Sequence, residues 1–135
     1  ITSRGLGDVY KRQLFEEHGF FDETMPACED YDMWLRLAAH ETVLFVPEFL
    51  TIKYGGHSDQ LSRAYWGMDR FRVRSLEKLI HSGSITHSQR ELVIKTLIQK
   101  LNILETGATK REKFNAAKEY RDRKIRWEGE KQFAN

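Results

Sequence analysis

The sequence predicts an α/β chain in which two short extended runs are set between helices. Three observations lead there. Glu29-Asp30-Tyr31-Asp32 places three carboxylates within four residues, directly ahead of apolar residues at helical spacing. Anions belong in a first helical turn, where unpaired N–H groups and the positive end of the helix dipole favour them. Thr42–Val46 and Phe49–Tyr54 are apolar, β-branched runs interrupted by Pro47, the pattern of two strands. From Arg63 onward the apolar residues recur at three and four, which is helical spacing again.

At 135 residues the chain is about one small domain with a modest core. Charged residues at 31% and hydrophobic ones at 40% put it among ordinary soluble globular proteins rather than disordered ones. No apolar run approaches the roughly 18 residues of a membrane span, and no secretory signal is visible. The lone Cys28 excludes an internal disulfide and fits a reducing compartment. Residues 1–13 stand apart. They end in Asp8-Val9-Tyr10-Lys11-Arg12-Gln13, which resembles a transposase-adapter DNA sequence translated in one frame, so they are expected to be non-native, with the natural frame running from Leu14 as part of a longer one. That stretch holds Arg4, Lys11 and Arg12 against Asp8. Without it the 22 basic and 20 acidic residues become 19 and 19, and the net charge of +2 falls to zero. The apparent basicity therefore makes no case for nucleic-acid binding.

In order, Leu14–Phe21 mixes apolar and acidic residues and turns at Gly19, and Asp22–Pro26 reads as a loop. The carboxylate-led helix follows and fades near His40, with Tyr31, Trp34, Leu35 and Ala38 as its buried stripe. Gly55–Ser62 is a polar, glycine-led loop. Arg63–Ile80 is predicted helical, with Tyr65, Met68 and Phe71 beside Trp66, Val73, Leu76 and Ile80. A tryptophan at that spacing is ordinarily core, which is the expectation for Trp66. Gly83 breaks the helix, and Thr86-His87-Ser88-Gln89 is a capping box for the next one. Val93, Leu97, Leu101 and Leu104 line its expected buried face, and Gly107 suits its end. Lys110–Trp127 is a charged helix with a thin seam of Phe114, Ala117, Tyr120 and Trp127. Residues 107–135 carry nine basic and five acidic side chains, net +4, interleaved as on a solvated helix.

Three features together resemble one family: Gly19-Phe20-Phe21-Asp22-Glu23, like its G-x-F-D-E element; Glu29-Asp30-Tyr31-Asp32-Met33-Trp34-Leu35-Arg36, like its ED-x-D-L-x-L-R element; and a strand pair leading to His57-Ser58-Asp59-Gln60-Leu61-Ser62. Their order and spacing are similar to the C-terminal half of a family 2 glycosyltransferase, whose GT-A fold is of the Rossmann-like, nucleotide-sugar-binding type. The resemblance covers about Leu14–Arg63. It implies residues 14–62 as the C-terminal half of a catalytic domain, 63–106 as a helical extension and 107–135 as a charged tail. It also implies Asp30 as the catalytic base that accepts the proton of an acceptor hydroxyl, and Glu29 as its partner in orientation. Asp32, Gln60, Ser62 and Trp66 become substrate-binding positions, and His57 a ligand to Mn²⁺ or Mg²⁺.

The donor would be a nucleotide sugar and the acceptor a glycan or lipid-linked hydroxyl, with inversion, at the cytoplasmic face of a membrane. The basic tail would attract anionic lipids weakly. The family's upstream nucleotide-binding region and D-x-D metal motif have no counterpart, the only Asp-x-Asp being Asp30-Tyr31-Asp32. The stretch on its own is thus expected to be inactive and, with Val43–Val46 and Phe49–Ile52 uncovered, to self-associate. The alternative is a non-catalytic helical protein-interaction module, in which the acids only cap a helix and the tail binds a partner.

Overall fold

The computed structural model describes residues 11–52 and 65–132. Among these residues there are five helices and no strand: α1 (Arg12–His18), α2 (Glu29–His40), α3 (Asp69–His81), α4 (His87–Lys110) and α5 (Phe114–Gln132). The expected α/β, Rossmann-like GT-A arrangement is therefore corrected to an all-helical one. Residues 42–47 and 49–52 are irregular rather than paired, and their side chains stand in solvent, Leu44 at 86%, Phe45 at 87% and Phe49 at 108% exposure. The residue types suit a strand. A strand, however, needs a neighbour to take its N–H and C=O groups, and none is present among the described residues.

The core lies between α3, α4 and α5. Val73, Leu76 and Ile80 of α3 meet Ile94, Leu97, Leu101, Leu104 and Ala108 of α4, and Ala117, Tyr120 and Trp127 of α5 close the other side. Leu97-Leu101-Leu104-Ala108 keeps one apolar stripe along the long helix, as helical spacing requires. The buried Trp127 indole donates to Glu77 Oε1 at 3.2 Å, so its one polar atom is satisfied.

Helix ends follow local chemistry. Thr86 Oγ1 accepts from Gln89 N at 3.2 Å while Gln89 Oε1 accepts from Thr86 N at 2.9 Å, a complete capping box. Of the helix expected over Arg63–Ile80, residues 65–68 are not helical and α3 begins at Asp69, after Gly67 at φ +62°, outside helical space; residues 63–64 lie outside the described residues. Gly107 lies inside α4 rather than at its end. The chain turns at Glu112, left-handed at φ +57°.

α2 lies against α3. Its buried face is Met33 and Leu37 with Asp32, not the expected stripe: Tyr31 and Leu35 reach only the core's margin, and Trp34 and Ala38 are exposed. On that inward face the Asp32 carboxylate meets Lys78 of α3.

Candidate functional site

The start of α2 gathers the polar groups. Cys28, the residue before the helix, is left-handed at φ +62° and buried. A non-glycine residue held there stores backbone strain, which clusters at functional positions. Burial raises its thiol above the ordinary range, and its Sγ lies 3.8 Å from the Met68 carbonyl. Of the acids that follow, Asp30 is exposed and accepts the Tyr31 N–H at 2.7 Å, and Glu29 is half-buried beside it.

Asp32 is placed quite differently. At 2% exposure, its Oδ1 accepts from Lys78 Nζ at 2.8 Å and its Oδ2 from Arg36 Nε at 3.3 Å. Lys78 also donates to Asp22 Oδ2 at 2.6 Å, and Asp22 Oδ1 takes the Thr24 N–H and hydroxyl at 2.9 and 2.6 Å. Arg36 spends its other nitrogens on the His18 and Phe20 carbonyls, the latter at 2.6 Å. One ionic network thus ties Gly19–Glu23, α2 and α3 together. Burial alone would lower the Lys78 ammonium, but its hydrogen bonds to Asp22 and Asp32 outweigh it and raise it. The hydrogen bond from Lys78, aided by Thr24, holds the Asp22 carboxyl far below the usual carboxylate range.

The arrangement divides the three acids. Asp32 has both oxygens committed to cations, while Glu29 and Asp30 face outward. Two carboxylates two residues apart on a helix do not converge. With Asp32 engaged as it is, Asp30-Tyr31-Asp32 does not make a metal cradle. Another group brings possible ligand atoms within 4.8 Å of one another: Glu17 and His18 at the end of α1, and Glu41 just past α2. There His18 Nε2 is 2.9 Å from Glu41 Oε1, an existing pair rather than an open site.

His57, Gln60 and Ser62 lie outside the described residues. Trp66 is not core; it stands 51% exposed at the loop before α3, with Arg70 and Lys113 against its ring. Two cavities flank the α2–α3 region. One, of about 290 Å³, opens between α2 and α3 over Asp32, Arg36, His40, Ser75 and Lys78. The other, of about 310 Å³, lies beside Trp66, between the start of α3 and the α4–α5 turn. Sequence reading missed Lys78 and Lys113. The one local signal for Lys78 is a charged residue wedged between the buried Leu76 and Leu79. No helix among the described residues is long and apolar enough to cross a membrane.

No protein-family profile, curated protein or solved structure gives a match to this chain. Its function is read from its own residues.

Proposed function

We propose that this chain is a helical interaction module that docks residues 42–52 onto the open edge of a partner's β-sheet. The observation that carries this reading is the run itself: apolar, β-branched, outside any helix, and exposed through Leu44, Phe45, Phe49, Leu50 and Ile52. Successive strand side chains point to opposite faces, and here neighbours Leu44 and Phe45 are both apolar. Both faces of the docked 42–46 run would therefore need apolar cover from the partner, with Pro47 marking where the pairing breaks before 49–52. The helical core is complete without the run, so the run is available for pairing. A photo-crosslinker introduced at Phe45 tests it. A dominant adduct that maps to a strand edge of one partner, and that disappears on Phe49→Lys, supports the docking mode. No adduct, or adducts scattered over unrelated surfaces, sinks it. An adduct to a second copy of the chain makes self-pairing the function of the segment.

A second reading is favoured by one observation, the separation of Asp30 from Asp32. A sugar transferase needs an exposed carboxylate with no cation already on it, held by neighbours that are engaged elsewhere. Among the described residues Asp30 meets no cation, and Asp32, Arg36 and Lys78 supply the support. In that reading Asp30 accepts the acceptor hydroxyl's proton as its oxygen bonds to the anomeric carbon, and the nucleotide diphosphate leaves with the electrons of the broken bond. A divalent ion would supply charge neutralisation of the leaving group. Nucleotide-sugar binding and turnover, wild type against Asp30→Asn, decide the matter. Loss of transfer in Asp30→Asn with donor binding kept supports the base, and unchanged transfer returns Glu29-Asp30 to capping.

A further inference from the structure

We infer that the cavity beside Trp66 is a phosphate site, a binding function independent of either reading above. Its construction begins with Gly67, whose φ of +62° turns the chain so that Trp66 stands at the surface and α3 starts immediately behind it. Arg70, one turn into α3, folds back over the indole. Its Nε and Nη2 donate to the Trp66 carbonyl at 3.2 and 2.8 Å, and its guanidinium carbon lies 3.7 Å from the ring centroid. From the α4–α5 turn Lys113 brings its Nζ to 4.7 Å from the same ring. Arg111 lies along the end of α4, Nη1 donating to the Gly107 carbonyl at 2.9 Å.

Among the described residues no carboxylate lies on any of these three cations. Other cations of α3, α4 and α5 converge on acids: Arg72 and Lys100 both reach Asp69, at 2.8 and 3.0 Å, and Arg121 and Lys124 reach Glu105, at 2.7 and 2.6 Å. The wall of the cavity holds Arg72, Arg111 and Lys113 against Asp69 alone, three positive charges and one negative, an excess of +2. The Asp69 carboxyl is not free to offset the rest: burial would raise it, but its bonds to Arg72 and Lys100 win and lower it, so it is a carboxylate already matched. A dianion meets that excess. The aromatic face holds Lys113 in place by cation–π attraction while leaving its N–H donors for a ligand, and Arg70 on the same ring fixes the indole.

Two backbone features agree. Gly107 is a glycine within a helix, where it weakens the element, and it lines the cavity. A Cβ there would come 3.0 Å from Arg111 Nη1, so that guanidinium lies close against the helix at the cavity wall. Glu112 between Arg111 and Lys113 is held left-handed at φ +57°, the turn that brings both cations to the same opening. At about 310 Å³ the space is at the small end for a ligand pocket, the size for a phosphate monoester or a diphosphate.

The source of the phosphate is either a soluble ester or a lipid headgroup, and the test separates them. The whole chain is titrated with pyrophosphate and with glycerol 3-phosphate in about 0.15 M salt, and separately with vesicles of neutral lipid with and without phosphatidic acid. The indole N–H resonance of Trp66, assigned with Trp66→Phe, is the readout. A saturable shift with the soluble anions, not reproduced by chloride and weakened about tenfold or more in Arg111→Gln/Lys113→Gln, establishes a soluble phosphate ligand. A response confined to phosphatidic acid vesicles and lost in the same variant establishes the headgroup. No saturable response in either arm, or an equal response in wild type and variant, overturns the inference. Arg111 and Lys113 are exposed and outside the core, so the double variant is expected to melt as the wild type does. Lys113→Gln alone is the second variant if it does not.

Discussion

Asp30 and Asp32 are two residues apart and differ in almost everything physical. One is exposed at the first turn of α2; the other is 2% exposed between Lys78 and Arg36. Removing a partner from a buried carboxylate leaves an uncompensated charge, which costs about 3–5 kcal/mol when the pair is fully buried. Lys78 is still 40% exposed and Arg36 remains, so Lys78→Met is expected to lose about 2 kcal/mol, read by urea unfolding. The same lysine sets an acid response. The folded Asp22 carboxyl titrates below its unfolded value, so its contribution is full above about pH 4, and is lost as pH falls through that value and further. Stability measured from pH 5 downward should fall less steeply in Lys78→Met than in wild type; equal slopes would remove Asp22 from the account. The thiol works in the opposite sense. Burial raises Cys28, so its contribution is present below the unfolded thiol value near about pH 8.5 and is lost as pH climbs past it. At this scale the sequence makes the Asp32–Arg36 pair legible, because four residues on a helix are neighbours. It hides Lys78, which is 46 residues from Asp32 and reaches it only once α2 and α3 have packed.

The elements were legible where their signals are local. The Thr86–Gln89 capping box forms as the four residues require, and Gln89 Nε2 adds a bond to the Ala39 carbonyl at 2.8 Å that joins the start of α4 to α2. Thr86→Ala is accordingly expected to cost about 1 kcal/mol, measured as a shift in the denaturation midpoint with unchanged slope. The end of α4 was misread, because glycine suits a helix end so well that Gly107 drew the boundary to itself. Instead the helix runs on to Lys110, and the left-handed turn falls on Glu112, which has no glycine to announce it. That position gives a prediction of the opposite sign. Glu112 is exposed and strained at φ +57°, so Glu112→Gly should stabilise by up to about 1 kcal/mol, the reverse of what glycine does inside a helix. A loss of stability there would mean that the Glu112 side chain holds the turn. The rotation of α2 was not legible for a third reason. Tyr31, Trp34, Leu35 and Ala38 obey helical spacing, but so do Met33 and Leu37, and spacing alone does not say which of the two faces packs on α3.

For the whole molecule, the mismatch between residues 42–52 and everything around them is the dominant physical fact. The composition of the run is that of a buried strand, whereas a strand exists only with its neighbours. A sequence therefore reports the propensity and cannot report the pairing. The helices bury their own apolar stripes against one another, and Leu44, Phe45 and Phe49 contribute nothing to that burial. Stability and association are thereby separable. The helical core should melt at the same temperature whether or not the run is apolar, while association should depend on the run almost entirely. Phe45→Lys/Phe49→Lys tests both halves at once. In sedimentation the wild-type chain is expected to show mass that rises with concentration, and the variant a constant monomer mass, because charges on a strand oppose edge pairing. In thermal unfolding followed by helical circular dichroism the two should coincide within a few degrees. A wild type that stays monomeric at every concentration and melts sharply would remove self-association and leave only a foreign sheet edge as occupant. A variant that melts much lower would make the run part of the helical fold, and the case for its being held ready for a partner would fall with it.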